Sequence, residues 1–170
     1  MIFARYRLER LSQLLSEPWN DLRLPGLLDL IDMVKPKRML EIGSFKGVST
    51  EVFLLHAEHV TAIDPWENKG IYTEFYSRVG AYPHLTIIRG KSPEAVPQKK
   101  FDFAYIDGDH SFEAVCADIT AAWTVLGRYG YIGGHDYEGV DTPGVKRAVD
   151  YAYPDRKPIV FPDSSWLLKI

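Results

Sequence analysis

The stretch Lys37–Asp64, KRMLEIGSFKGVSTEVFLLHAEHVTAID, decides the fold. It opens on a short apolar run that stops at Gly43, passes through a segment with helical spacing over Gly47–Ala57, and returns to an apolar run ending at Asp64. Two strands joined through a helix read as a parallel pair with a right-handed crossover. Downstream the alternation repeats. Ile71–Gly80 reads as a helix closed by Gly80, His84–Gly90 as a strand, Phe101–Asp107 as a strand, Ser111–Leu126 as a helix, Gly127–Asp136 as a strand and Thr142–Tyr153 as a helix. The closing runs Lys157–Phe161 and Ser165–Ile170 read as strands whose short link has no room for a crossover helix, so they form an antiparallel hairpin. Upstream, RLERLSQLLSE and LPGLLDLIDMV have helical spacing interrupted by Pro18. The expected fold is α/β: a Rossmann-like, doubly wound seven-stranded sheet, mostly parallel, with an antiparallel hairpin at the C-terminus.

The chain has 170 residues, 46% hydrophobic, and a formal net charge of −3. That suits one domain, here a core over 36–170 preceded by a helical extension over 1–35. No run of about 20 apolar residues is present to span a bilayer. The N-terminus lacks signal-peptide order, and the single Cys116 fits a reducing, cytoplasmic setting. The acidic balance disfavours nucleic acid as a partner.

In an open α/β sheet, ligands sit beyond the carboxyl ends of the strands. The strands deliver Glu41, Gly43 and Ser44; then Asp64, Pro65 and Trp66; then Gly90, Lys91 and Ser92; then Asp107, Asp109 and His110; and finally His135 and Asp136. The first loop, EIGSFKG, lacks the middle glycine of a dinucleotide loop because Phe45 stands there. An acid two residues before the first glycine would repel a pyrophosphate and attract an ammonium or sulfonium group. Asp64 is placed to accept hydrogen bonds from ribose hydroxyls. A cationic amino acid beside a ribose describes S-adenosylmethionine.

The ordered segments MLEIGSFKGVST, VTAIDPW, IIRGKSPEAVP, FAYIDGDHSFEAVCADI, YIGGHDY and GVKRAVD resemble the class I S-adenosylmethionine-dependent methyltransferases, nearest their small-molecule O-methyltransferase group of catechol-type, macrolide-sugar and cephalosporin-hydroxylase-like proteins. The resemblance implies that Glu41 and Gly43, with Ser44, hold the methionine part. It implies that Asp64, with Pro65 and Trp66, holds the ribose and flanks the adenine, and that Gly90 and Ser92 lie near the base. It further implies a divalent cation on Asp107, His135 and Asp136. The histidine in that set leaves Mg²⁺, Mn²⁺ or no metal open, with Asp109 as an alternative oxygen ligand or helix cap. His110, beside Asp107, matches the general-base histidine of the sugar enzymes. The implied acceptor is a hydroxyl on a small molecule such as a sugar or catechol-like ring, with residues 1–35 as part of its lid by resemblance, and a second subunit of a homo-oligomer could complete the acceptor site. The alternatives are a cofactor-binding module without chemistry and an NAD(P)-dependent oxidoreductase.

Overall fold

The fold is that of a computed structural model, which describes residues 2–16 and 23–170, with side chains described for 7–16 and 24–170. Pro18 and Trp19 lie outside the described residues. The elements run α1 (Ile2–Leu15), α2 (Arg23–Val34), β1 (Arg38–Ile42), α3 (Val48–Leu54), β2 (His59–Asp64), α4 (Lys69–Val79), β3 (Leu85–Arg89), β4 (Phe101–Ile106), α5 (Phe112–Val125), β5 (Leu126–Gly134), α6 (Pro143–Ala152), β6 (Ile159–Val160) and β7 (Trp166–Lys169).

The seven strands form one sheet in the order β3-β2-β1-β4-β5-β7-β6. The first five are parallel, and β7 runs antiparallel to both β5 and β6. This is the expected doubly wound sheet with its terminal hairpin. The hairpin's outer strand is shorter than its apolar run suggests. Only Ile159 and Val160 are paired, because Pro158 and Pro162 bracket them and proline donates no ladder hydrogen bond.

Helices cover both faces. Along β1, Leu40 and Ile42 pack with Val115, Ile119 and Ala122 of α5 and Val145, Ala148 and Val149 of α6. Met39 points the other way, into a second core with Leu27, Leu30 and Ile31 of α2, Val52 and Phe53 of α3, and Phe75 and Val79 of α4. Strand alternation produces this division.

The register carries the consequence for function. Ile42 is level with Ile63 and with Ile106, and Ile106 is level with Gly134. The next residue of each strand therefore lands on a single rim, at Gly43, Asp64, Asp107 and His135. The ladder continues one step past the strand ends to fix them: the amides of Gly43, Asp107 and His135 donate to the carbonyls of Ile63, Ile42 and Ile106 at 2.8, 2.8 and 3.1 Å. The strand order reverses between β1 and β4, so the crevice opens above these two strands.

Candidate active site

A cleft of about 1230 Å³ lies on that rim. Among its walls are Gly43, Ser44, Asp64, Pro65, Trp66, Gly90, Ser92, Asp107, Asp109, His110, His135 and Asp136, so the topology gathers five separate loops around one space. Leu24 and Leu27 of α2 also line it.

Gly43 has φ 88°, and a Cβ there would stand 2.1 Å from the Asp107 carbonyl oxygen. Only glycine allows the loops after β1 and β4 to approach this closely. Phe45, in place of a middle glycine, takes φ 43°. Its amide donates to Asp64 Oδ2 at 3.0 Å, and its carbonyl accepts from Trp66 Nε1 at 2.8 Å. Asp64 Oδ1 also accepts from the Trp66 amide at 2.7 Å. Asp64 thus closes a local turn and still faces the cleft, because each carboxylate oxygen keeps lone-pair capacity after one amide contact. Trp66 is buried and tilted against Phe75, with centroids 4.4 Å apart, so its ring forms the base of the wall. Phe45, Trp66 and Asp136 all have positive φ, which concentrates backbone strain on the rim.

Glu41 requires a correction. It is 0% exposed and is absent from the cleft wall. The alternation that sends Leu40 and Ile42 toward α5 turns Glu41 toward α3, where its oxygens accept from Ser44 Oγ at 2.8 Å, Ser49 Oγ at 2.6 Å and Thr50 Oγ1 at 2.5 Å. It therefore supports the loop from beneath and is not among the side chains that line the cleft. Burial pushes its carboxyl up to about 7, against the three hydroxyls, which favour the ionised form.

At the opposite end, His110 Nε2 lies 3.5 Å from Asp107 Oδ1 and 3.3 Å from Asp136 Oδ2, and His135 Nδ1 lies 3.3 Å from Asp136 Oδ1. Neither His110 Nε2 nor His135 Nε2 closes a hydrogen bond. Asp107, with Asp136, holds the His110 imidazole above its ordinary value against burial. Burial at the cleft floor raises Asp107, and His110 opposes that shift. Among the described residues, the donor atoms close enough to share one cation belong to Asp107, His110 and Asp136, within 4.8 Å of one another. The trio differs from the expected Asp107, His135 and Asp136. Asp136 sits at φ 62°, and in that turn its carboxylate meets both histidines, while His110 and not His135 also reaches Asp107. Asp109 stays outside the trio: its Oδ1 accepts from the Ser111 amide at 2.8 Å, and Ser111 is the N-cap of α5.

Asp118 is among the wall residues that the sequence reading did not name, with Glu67, Asn68 and Tyr105. Asp118 is 4% exposed, lines the cleft, and has its carboxyl raised to about 6 by burial. The available signal was an acid on the apolar stripe of α5, between Val115 and Ala122.

A family profile described as a methyltransferase domain matches residues 40–137. An O-methyltransferase from Bacillus cereus, solved in complex with SAH, superposes with a TM-score of 0.67 at 15% identity, covering 98% of this chain and 89% of its own. The N-methyltransferase NodS from Bradyrhizobium japonicum, in complex with S-adenosyl-L-homocysteine, gives 0.66 at 16% identity with 96% of each chain covered. The O-methyltransferase NovP gives 0.65 at 14% identity, covering 85% of this chain and 76% of its own. No curated protein sequence gives a significant match.

Proposed function

The chain belongs to the methyltransferase-domain family and has the class I S-adenosylmethionine-dependent methyltransferase architecture, and from that premise we propose that it methylates a hydroxyl group of a small molecule, with His110 as the proton acceptor. The observation that carries this reading is His110 Nε2, held 3.5 Å from Asp107 Oδ1 and 3.3 Å from Asp136 Oδ2 on the cleft wall. Structural neighbours include both O- and N-methyltransferases, so the fold leaves the acceptor atom open. A neutral amine attacks through its own lone pair. A hydroxyl needs a base, and the floor of this cleft offers one.

In the proposed step the acceptor oxygen attacks the methyl carbon of S-adenosylmethionine while the carbon–sulfur bond breaks and its electron pair returns to sulfur. The hydroxyl proton passes to His110 Nε2, and Asp107 and Asp136 stabilise the imidazolium. Asp64 holds the ribose, the Gly43–Ser44 loop approaches the methionine part, and Gly90 and Ser92 border the base. The remaining contribution is alignment of oxygen, carbon and sulfur. Leu24 and Leu27, which line the cleft, would supply an apolar side to the acceptor site.

A second reading has support in the same trio. Asp107, His110 and Asp136 fit one divalent cation, and two carboxylates with an imidazole suit Mn²⁺ better than an all-oxygen ion such as Mg²⁺. When bound, such an ion would lower the pKa of a coordinated hydroxyl. It would also occupy the nitrogen that otherwise takes the proton, so the two readings exclude each other. Assaying methyl transfer to a panel of phenols and sugars, with and without chelator, separates them. Under the general-base reading, His110→Gln lowers kcat by about 10²–10⁴-fold, leaves S-adenosylhomocysteine affinity unchanged, and chelator has no effect. Activity abolished by chelator and restored by Mn²⁺ would replace this reading with the metal-assisted one.

A further inference from the structure

We propose that Asp118 reads the purine of the methyl donor by accepting a hydrogen bond from its 6-amino group. This rests on the cofactor reading above and extends it to a residue with no assigned role.

Asp118 occupies a core position. Val115 and Ala122 share its face of α5 and, with the adjacent Ile119, are buried in the apolar cluster on that side of the sheet. An acid among them is expensive unless something satisfies it. Among the described residues no cation pairs with it; the Ser92 hydroxyl favours its ionised form, and the charge of Asp109 opposes it. Its Oδ2 lies 3.5 Å from the point where a side chain on Gly108 would begin, just beneath the turn from β4 into α5. Although 4% exposed, it borders the cleft together with Ala114 one turn earlier. A carboxyl buried from solvent and open to a ligand cleft has its partner supplied by the ligand.

The geometry of the cleft selects the part of the ligand that reaches it. Asp107 and His110 fix the end where the methyl group is transferred, and Asp64 at the end of β2 takes the ribose. The strand beyond β2 is β3, so the base continues outward from Asp64 toward Gly90, Lys91 and Ser92. Ala114 and Asp118 face that loop from α5, with Ser92 beside Asp118. A 6-aminopurine presents an N–H donor on its edge, and a carboxyl oxygen accepts it. A 6-oxopurine presents an oxygen at the same place, and two acceptors repel. The buried acid therefore selects for the adenine-bearing donor through an attractive contact with the right base and a repulsive one with the wrong base.

Calorimetry on the full chain with S-adenosylhomocysteine and its 6-oxo counterpart, S-inosylhomocysteine, tests this. The native chain is expected to prefer the adenosyl compound by roughly tenfold or more, and Asp118→Leu, which leaves no acceptor at that place, to lose roughly tenfold for it while the preference collapses. Asp118→Ser serves as the second variant if the first fails to fold by circular dichroism. A folded variant that keeps both the native affinity and the native preference overturns the assignment, as does a native chain that binds both compounds equally. A native chain that binds neither overturns the cofactor reading itself, which is a different and recognisable failure.

Discussion

Glu41 illustrates how one side chain's direction changes its role. The acid beside the first glycine invites a reading as a ligand for a cationic amino acid, yet strand parity turns it beneath the loop, onto three hydroxyls. Its ionisation therefore belongs to stability. The folded-state value is raised from 4.5 to about 7, so the folded chain holds this proton more tightly than the unfolded one. The associated stability is complete below about pH 4.5 and is lost as pH rises through 7, amounting to about 3 kcal/mol on the scale of 1.36 kcal/mol per unit. Glu41→Gln should remove this slope. Urea unfolding of both chains at pH 5, 6 and 8 measures it, and a difference between native and variant that stays constant with pH would contradict the assignment. Asp64 differs because it does face the cleft. Asp64→Ala should weaken S-adenosylhomocysteine binding by about 2 kcal/mol, the cost of leaving a ribose hydroxyl unpaired. Unchanged affinity in calorimetry would remove the ribose role.

The terminal hairpin is the element that distinguishes this sheet from a plain dinucleotide fold, and the short link between its apolar runs made it legible in the sequence. Its anchor was not legible. Trp166 is 0% exposed, lies opposite Gly134 on β5 and opposite Val160 on β6, and so fastens the hairpin beside the strand that delivers His135 and Asp136. Trp166→Ala should cost about 3–5 kcal/mol in denaturant unfolding. It should also lower kcat more than it raises the cofactor Kd, since the disturbance falls at the floor of the cleft and leaves Asp64 alone. An equal loss in both would mean that the hairpin stabilises the sheet without aiming the site. The helices and parallel strands were readable because each carries its own hydrophobic period and its own glycine or acid stop. The partnership of Asp136 with His110 was not, because it depends on a positive φ at Asp136 that no local pattern announces.

Two cores, one on each face of the sheet, anchor the strands that carry the rim, and the cleft lies along that rim. That arrangement predicts a ligand-linked stability. A ligand touching the loops after β1, β2, β3 and β4 binds only when all four are assembled, so it must stabilise the folded chain by mass action. At about 100 times its Kd the gain is about 2.7 kcal/mol, which for a chain of this size raises the melting temperature by about 5–10 °C. S-adenosylhomocysteine should produce that shift in the native chain and a smaller one in Asp64→Ala at the same concentration. NADH should produce none, because its pyrophosphate would meet a loop in which Phe45 occupies the place of the middle glycine. A shift with NADH and not with S-adenosylhomocysteine would assign the cleft to a dinucleotide and leave His110 without a methyl group to serve.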